Sequence, residues 1–99
     1  MSIPKHTGGF DAASAEILAL RAATFIAGDD VLLTRFLALS GLDLDTFRGM
    51  VGRIEGQVAV LDFLLGHEPD LVAFASQSEI RPEAVIRARK MLDPEGIPE

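Results

Sequence analysis

Residues 25–36 read FIAGDDVLLTRF, and residues 63–74 read FLLGHEPDLVAF. The offset between them is 38 positions (63 − 25). Phe25 returns as Phe63, Gly28 as Gly66, Leu33 as Leu71 and Phe36 as Phe74, and the acidic Asp30 returns as Glu68. Carried on to residues 47 and 85, the same offset pairs Ser40 with Ser78, Ile26 with Leu64, Leu42 with Ile80, and Asp45 with Glu83. It also sets Val31 against Pro69, both suited to a first helical turn. The recurring positions are apolar anchors, a helix stop and helix caps. Each copy therefore reads as an apolar helix, a glycine stop, a short helix carrying Leu and Phe, a turn, and a capped third helix. One such unit cannot bury its apolar face alone, whereas two packed together can. The predicted fold is all-α, a compact bundle of about six short helices in two pseudo-repeated three-helix units. The competing reading is that helices rich in Leu and Ala align by accident.

Outward from the repeat, the local signals place the helices. DAASAEILALRAATFIAG, residues 11–28, is almost wholly helix-favouring, and after Asp11 its only charges are Glu16 and Arg21. A helix apolar on nearly all sides is usually central. Gly28 stops it, and Asp30 is the expected N-cap of a helix running to about Leu39. Ser40-Gly41 ends that helix, with Gly41 suited to a left-handed position, and Asp43 caps LDTFRGMV. Gly49, Gly52 and Gly56 weaken the pattern, for close helix packing or a flexible link. From about Gly56 a further apolar helix, QVAVLDFLLG, closes at Gly66. Pro69, after Glu68, stands at the start of LVAFASQS, and Pro82 opens EAVIRARKML, which stops at Asp93-Pro94. No segment alternates with period two, so no strand is expected. The helices ending at Gly28 and Gly66 are the expected central pair, with Phe25, Phe36, Phe63 and Phe74 meeting near the middle. Residues 1–10 read as a flexible tail, 11–92 as one helical domain, and 93–99 as a C-terminal tail.

Composition narrows the function classes. The chain has 99 residues, 48% of them hydrophobic, and a mean hydropathy of +0.29, high for so small a domain. Small domains have much surface per volume, so some of that apolar excess is expected at a contact with a partner. The net charge of −6 and pI of about 4.8 oppose general binding to a phosphate backbone. With no Cys, disulfides and thiolate metal sites are excluded. MSIPKH runs into TGG rather than into an apolar stretch, and no apolar run approaches the ~18 residues of a membrane span. A cytoplasmic location, with no membrane, is the expectation.

LALRAATFIA, TRFLALSGL, VLDFLLGHE, LVAFA and RPEAVIRARKML, in that order, resemble a bacterial family of small proteins, domain-of-unknown-function family 3572. The resemblance runs from about Asp11 to Leu92. It rests most on Arg35-Phe36-Leu37 with Ser40-Gly41-Leu42, and on Leu61-Asp62-Phe63-Leu64-Leu65 with Glu68. Pro82, Val85 and Arg89 extend it. Family members tend to have Gly before the last helix, whereas Glu79 stands here in the place equivalent to Gly41. The resemblance implies an all-helical cytoplasmic protein, and it carries no catalytic residues onto this chain.

Each candidate chemistry has a plainer competitor. His67-Glu68 begins like an HExxH zinc helix, but position 71 is Leu71, and Pro69 interrupts the turn. Asp43-Leu44-Asp45 would open a calcium loop only with Asp or Asn and then Gly where Phe47 and Arg48 stand. Asp29-Asp30 is better placed for the positive end of a helix than for converging on one ligand. No GxSxG elbow, Walker A lysine or GxGxxG following a strand is present. No catalytic residue, cofactor or metal is expected, and the chain reads as a non-enzyme.

Two contact surfaces remain. AFASQSEIRPEAVIRARKML has the outline of a helix-turn-helix, and Arg81, Arg87, Arg89 and Lys90 against Glu83 make residues 81–90 net +3. Arg87, Arg89 and Lys90 are the candidate nucleic-acid contacts, but they sit at the end of the last helix, where cations complement its dipole. The leading expectation is contact with another protein or with a second copy, through the short helices. Leu32, Leu37, Leu39 and Leu44 are its candidate exposed residues.

Overall fold

In a computed structural model that describes residues 11–94, the chain forms six helices and no strand among those residues. They are α1 (Ala12–Ala27), α2 (Asp30–Ser40), α3 (Leu44–Met50), α4 (Ile54–Leu65), α5 (Glu68–Ser78) and α6 (Pro82–Leu92). The readings of residues 1–10 and 95–99 as tails lie outside the described residues.

Aspartate caps set the starts of α1, α2 and α3. Asp11 precedes α1 and accepts from the Ser14 amide at 2.9 Å, and Asp43 precedes α3 and accepts from the Thr46 amide at 2.7 Å. Those amides stabilise the ionised carboxylates and lower both pKa values. For α2 the cap is Asp29, not Asp30. Its carboxylate takes the amides of Val31 and Leu32 at 2.9 and 3.1 Å, while Asp30 has already turned into the helix. A cap must sit in extended backbone just outside the helix, and Asp29 is the residue that does so. Likewise α4 starts at Ile54, two residues before the predicted Gly56. Arg53 is extended and accepts the Gln57 amide, so the helix has turned before the glycine is reached.

The 38-residue offset carries α2 onto the bounds of α5, the last residue of α1 onto that of α4, and the first residue of α3 onto that of α6. Backbone at the stops corresponds as well. Gly28 and Gly66 have φ −82° and −87°, and Gly41 and Glu79 both take the left-handed conformation at φ 77° and 59°. Glu79 closes its turn without the glycine that stands at its counterpart, with the Ile80 amide reaching the Ala75 carbonyl at 2.9 Å. A side chain pays for that backbone in steric strain. Glu79→Gly is therefore expected to raise stability by about 0.5–1 kcal/mol, read as a higher urea midpoint. A lower midpoint would show that the Glu79 side chain contributes more than its backbone costs.

The core sits where α1, α4 and α6 meet. Buried there are Ala15, Leu18, Ala22 and Ile26 of α1, Val60, Leu61 and Leu64 of α4, and Val85, Ala88 and Leu92 of α6. The expected central pair thus takes α6 as a third member, because the small Ala19, Ala22 and Ala88 let the helices approach closely. The four phenylalanines do not meet at one point. Phe25 pairs with Phe74 (ring centroids 5.4 Å apart), and Phe36 pairs with Phe63 (5.4 Å) and Phe47 (4.8 Å). The Phe25–Phe74 pair joins α1 to α5, and the Phe36–Phe63 pair joins α2 to α4. An ion pair, Arg35 to Asp70 at 2.8 Å, also ties α2 to α5.

Candidate functional site

Helix α1 has two apolar faces. One enters the core. The other carries Ile17 and Leu20, which are 59% and 43% exposed, with Ala13, Thr24 and Ala27 also exposed along it. An open groove flanks this ridge on each side. The first, about 680 Å³, lies toward α5 and reaches Phe25, Phe74, Gln77 and Ser78. The second, about 470 Å³, lies toward α3 and reaches Leu44, Phe47, Arg48 and Val51. Leu20 and Thr24 line both, so they form the crest between them. Glu16 and Arg21 flank the ridge, and both are exposed.

A smaller groove of about 400 Å³ lies between α2 and α4. Its Phe36, Leu39 and Ser40 correspond, 38 positions on, to Phe74, Gln77 and Ser78 of the first groove. Its Ala59, Asp62, Phe63 and His67 correspond, 38 positions back, to Arg21, Thr24, Phe25 and Asp29 of the first groove. The two grooves thus lie at positions related by the 38-residue offset, with different chemistry. His67 lies over Phe63 at 4.7 Å and places Nδ1 2.9 Å from the Phe63 carbonyl oxygen, so its ring completes the local packing. Asp62 is engaged by Arg89, whose Nε and Nη2 donate to its two oxygens at 2.8 and 3.1 Å.

That pairing corrects one sequence expectation. The Arg89 side chain is 13% exposed and its guanidinium is turned onto α4, with Asp93 at 3.8 Å, so it is not free to meet a nucleic acid. The Asp62 hydrogen bonds, against opposing desolvation, raise the Arg89 pKa, so its charge is permanent in water. Arg87 and Lys90 do face solvent on α6. A second correction concerns the leucines. Leu32 is a core residue, 6% exposed, and Leu37 packs partly buried against the core. Leu39 and Leu44 are exposed. The short helix α2 turns Leu32 and Phe36 inward, and Leu39, one turn beyond Phe36 near the end of α2, follows the same stripe out to the wall of the groove between α2 and α4, where nothing covers it.

Ile17 and Leu20 were absent from the expected contact residues because α1 reads as apolar all round. Their signal was present in the sequence as a second stripe, offset from Ala15, Leu18, Ala22 and Ile26. Among the described residues no three His, Asp or Glu side chains gather as they would around a metal ion. No helix of the described residues is long and apolar enough to cross a membrane.

A family model described as "Protein of unknown function (DUF3572)" matches residues 12–95. No curated protein and no solved structure matches the chain.

Proposed function

We propose, for a chain that belongs to the DUF3572 family of proteins of unknown function, that it is a non-enzymatic helical module acting through protein contacts. The outward ridge of α1 is its working surface. The observation that carries this reading is the pairing of Ile17 and Leu20, both large, apolar and exposed, with open grooves on either side. Exposed apolar residues scattered singly are ordinary, but an apolar ridge bordered by an open groove on each side has the shape of an interface. Leu44, one of the exposed leucines, belongs to the same surface through the α3 groove. The basic C-terminal helix offers less, since Arg89 is engaged by Asp62 and the chain as a whole carries −6.

Recovery of the tagged full-length chain from its own cells at low salt, with nuclease, tests this reading. A protein retained in stoichiometric amount, whether an untagged copy or another chain, is the expected result. Leu20→Asp should reduce that retention about tenfold or more, because a carboxylate would enter an apolar contact. Val72→Asp, at an exposed position on α5 outside both grooves, should not. Retention unchanged by Leu20→Asp, or recovery of nuclease-sensitive material alone, would overturn the reading.

A further inference from the structure

The exposed stripe of α1 is Ala13, Ile17, Leu20, Thr24 and Ala27, at successive spacings of four, three, four and three. That is the spacing of a seam between two helices, and it lies opposite the stripe that enters the protein's own core. Ile17 and Thr24 fall at one seam position and Leu20 at the other. In a parallel seam, a β-branched residue at the first with Leu at the second favours two strands over three or four. Glu16 immediately precedes Ile17, and Arg21 immediately follows Leu20. They are the only charged residues of α1, five positions apart (21 − 16). Both are exposed, and neither enters an ion pair among the described residues.

We infer that the partner of this surface is a second copy of the chain, with the two α1 helices packed side by side in parallel about a two-fold axis. This inference rests on the reading of the α1 ridge as a protein-contact surface. The charge pattern selects the copy and its direction. Two-fold symmetry along parallel helices brings Glu16 of one copy beside Arg21 of the other, twice. An antiparallel pair would put them on opposite sides of the seam. The same symmetry lays the α3 wall of one copy against the α5 wall of the other. The grooves beside Leu20 are therefore covered in the dimer. They are needed, because a helix of 16 residues offers a seam only about 24 Å long. A stable interface takes about 800 Å² from each partner.

The test is sedimentation equilibrium on the full chain and four variants, Leu20→Asp among them, with circular dichroism as the check on folding. The unaltered chain should be a dimer. Glu16→Arg sets arginine against arginine across the seam, and Arg21→Glu sets glutamate against glutamate. Each should weaken the dimer about tenfold, more at low salt than at high salt. An equimolar mixture of these two variants should form a heterodimer of near-original affinity. The double variant Glu16→Arg with Arg21→Glu should recover the homodimer. A strict monomer at high concentration would overturn the inference, as would a dimer indifferent to the charge changes. If the chain is monomeric yet Leu20→Asp still releases a different retained protein, this inference fails alone. If Leu20→Asp alters neither association nor retention, the functional reading fails with it.

Discussion

Gly56→Ala should be the most damaging methyl-sized change in the molecule, lowering stability by about 3 kcal/mol or more. Gly56 lies in the first turn of α4, where the end of α3 crosses it. A Cβ built there would fall well inside contact with the Met50 carbonyl and 2.8 Å from the Met50 Cβ. Backbone cannot rotate out of the way as a side chain would. The connection is also held short. The Arg53 amide binds the Met50 carbonyl at 2.9 Å, and the buried Gln57 side chain donates to the Val51 carbonyl at 3.1 Å. The cost would be a large part of the total stability of about 5–10 kcal/mol expected for a domain of this size. Gly49 and Gly52 provide the controls. A Cβ at either would meet nothing within 4 Å, so Ala there should be close to neutral. Because the chain lacks Trp and Tyr, urea unfolding is best followed by far-ultraviolet circular dichroism. Equal midpoints for all three alanine variants would mean that α3 moves freely over α4.

Phe36→Ala should cost about 4 kcal/mol, and more than Phe74→Ala. Both rings are 1% exposed and occupy equivalent places in α2 and α5, so burial alone predicts equal losses. Their neighbours differ. Phe36 touches Phe47 with centroids 4.8 Å apart and meets Phe63 edge-to-face at 88°. Phe74 pairs with Phe25 alone, and Phe25 is itself half-buried on the wall of the α5 groove. Aromatic pairs contribute about 0.5–1.5 kcal/mol each beyond area, so the extra partner should separate the two variants by about 1 kcal/mol. Removing Phe36 also empties space enclosed by α2, α3 and α4, which cannot collapse readily around three helices. The reverse order would show that the Phe25–Phe74 pair is the stronger support.

The helices themselves were legible because their signals are local. Asp11 and Asp43 cap through amides three residues away, and Gly41 stops α2 through its own left-handed backbone. Such contacts lie within a few residues of chain, so sequence spacing describes them directly. Asp29 against Asp30 marks the limit, since two adjacent carboxylates offer the same signal and only the turn of the backbone selects one.

The choice between faces was not legible. Helix α1 carries two largely apolar stripes, and which one enters the core depends on where α4 and α6 lie. Leu32 and Leu39 are the same residue type on one short helix, yet one is in the core and the other is 64% exposed. Arg89 reads as a surface cation until Asp62, 27 residues earlier in the chain, is placed beside it. Gly56 reads as a helix weakener until Met50 is brought over it. By itself, the sequence determined the number of helices, most of their ends and the all-α class, because caps, stops and propensities act over one helical turn. Only the tertiary structure decided which faces are buried, which charges are paired and which apolar ridge is left outside, because burial depends on residues that meet across the bundle, far apart in the chain.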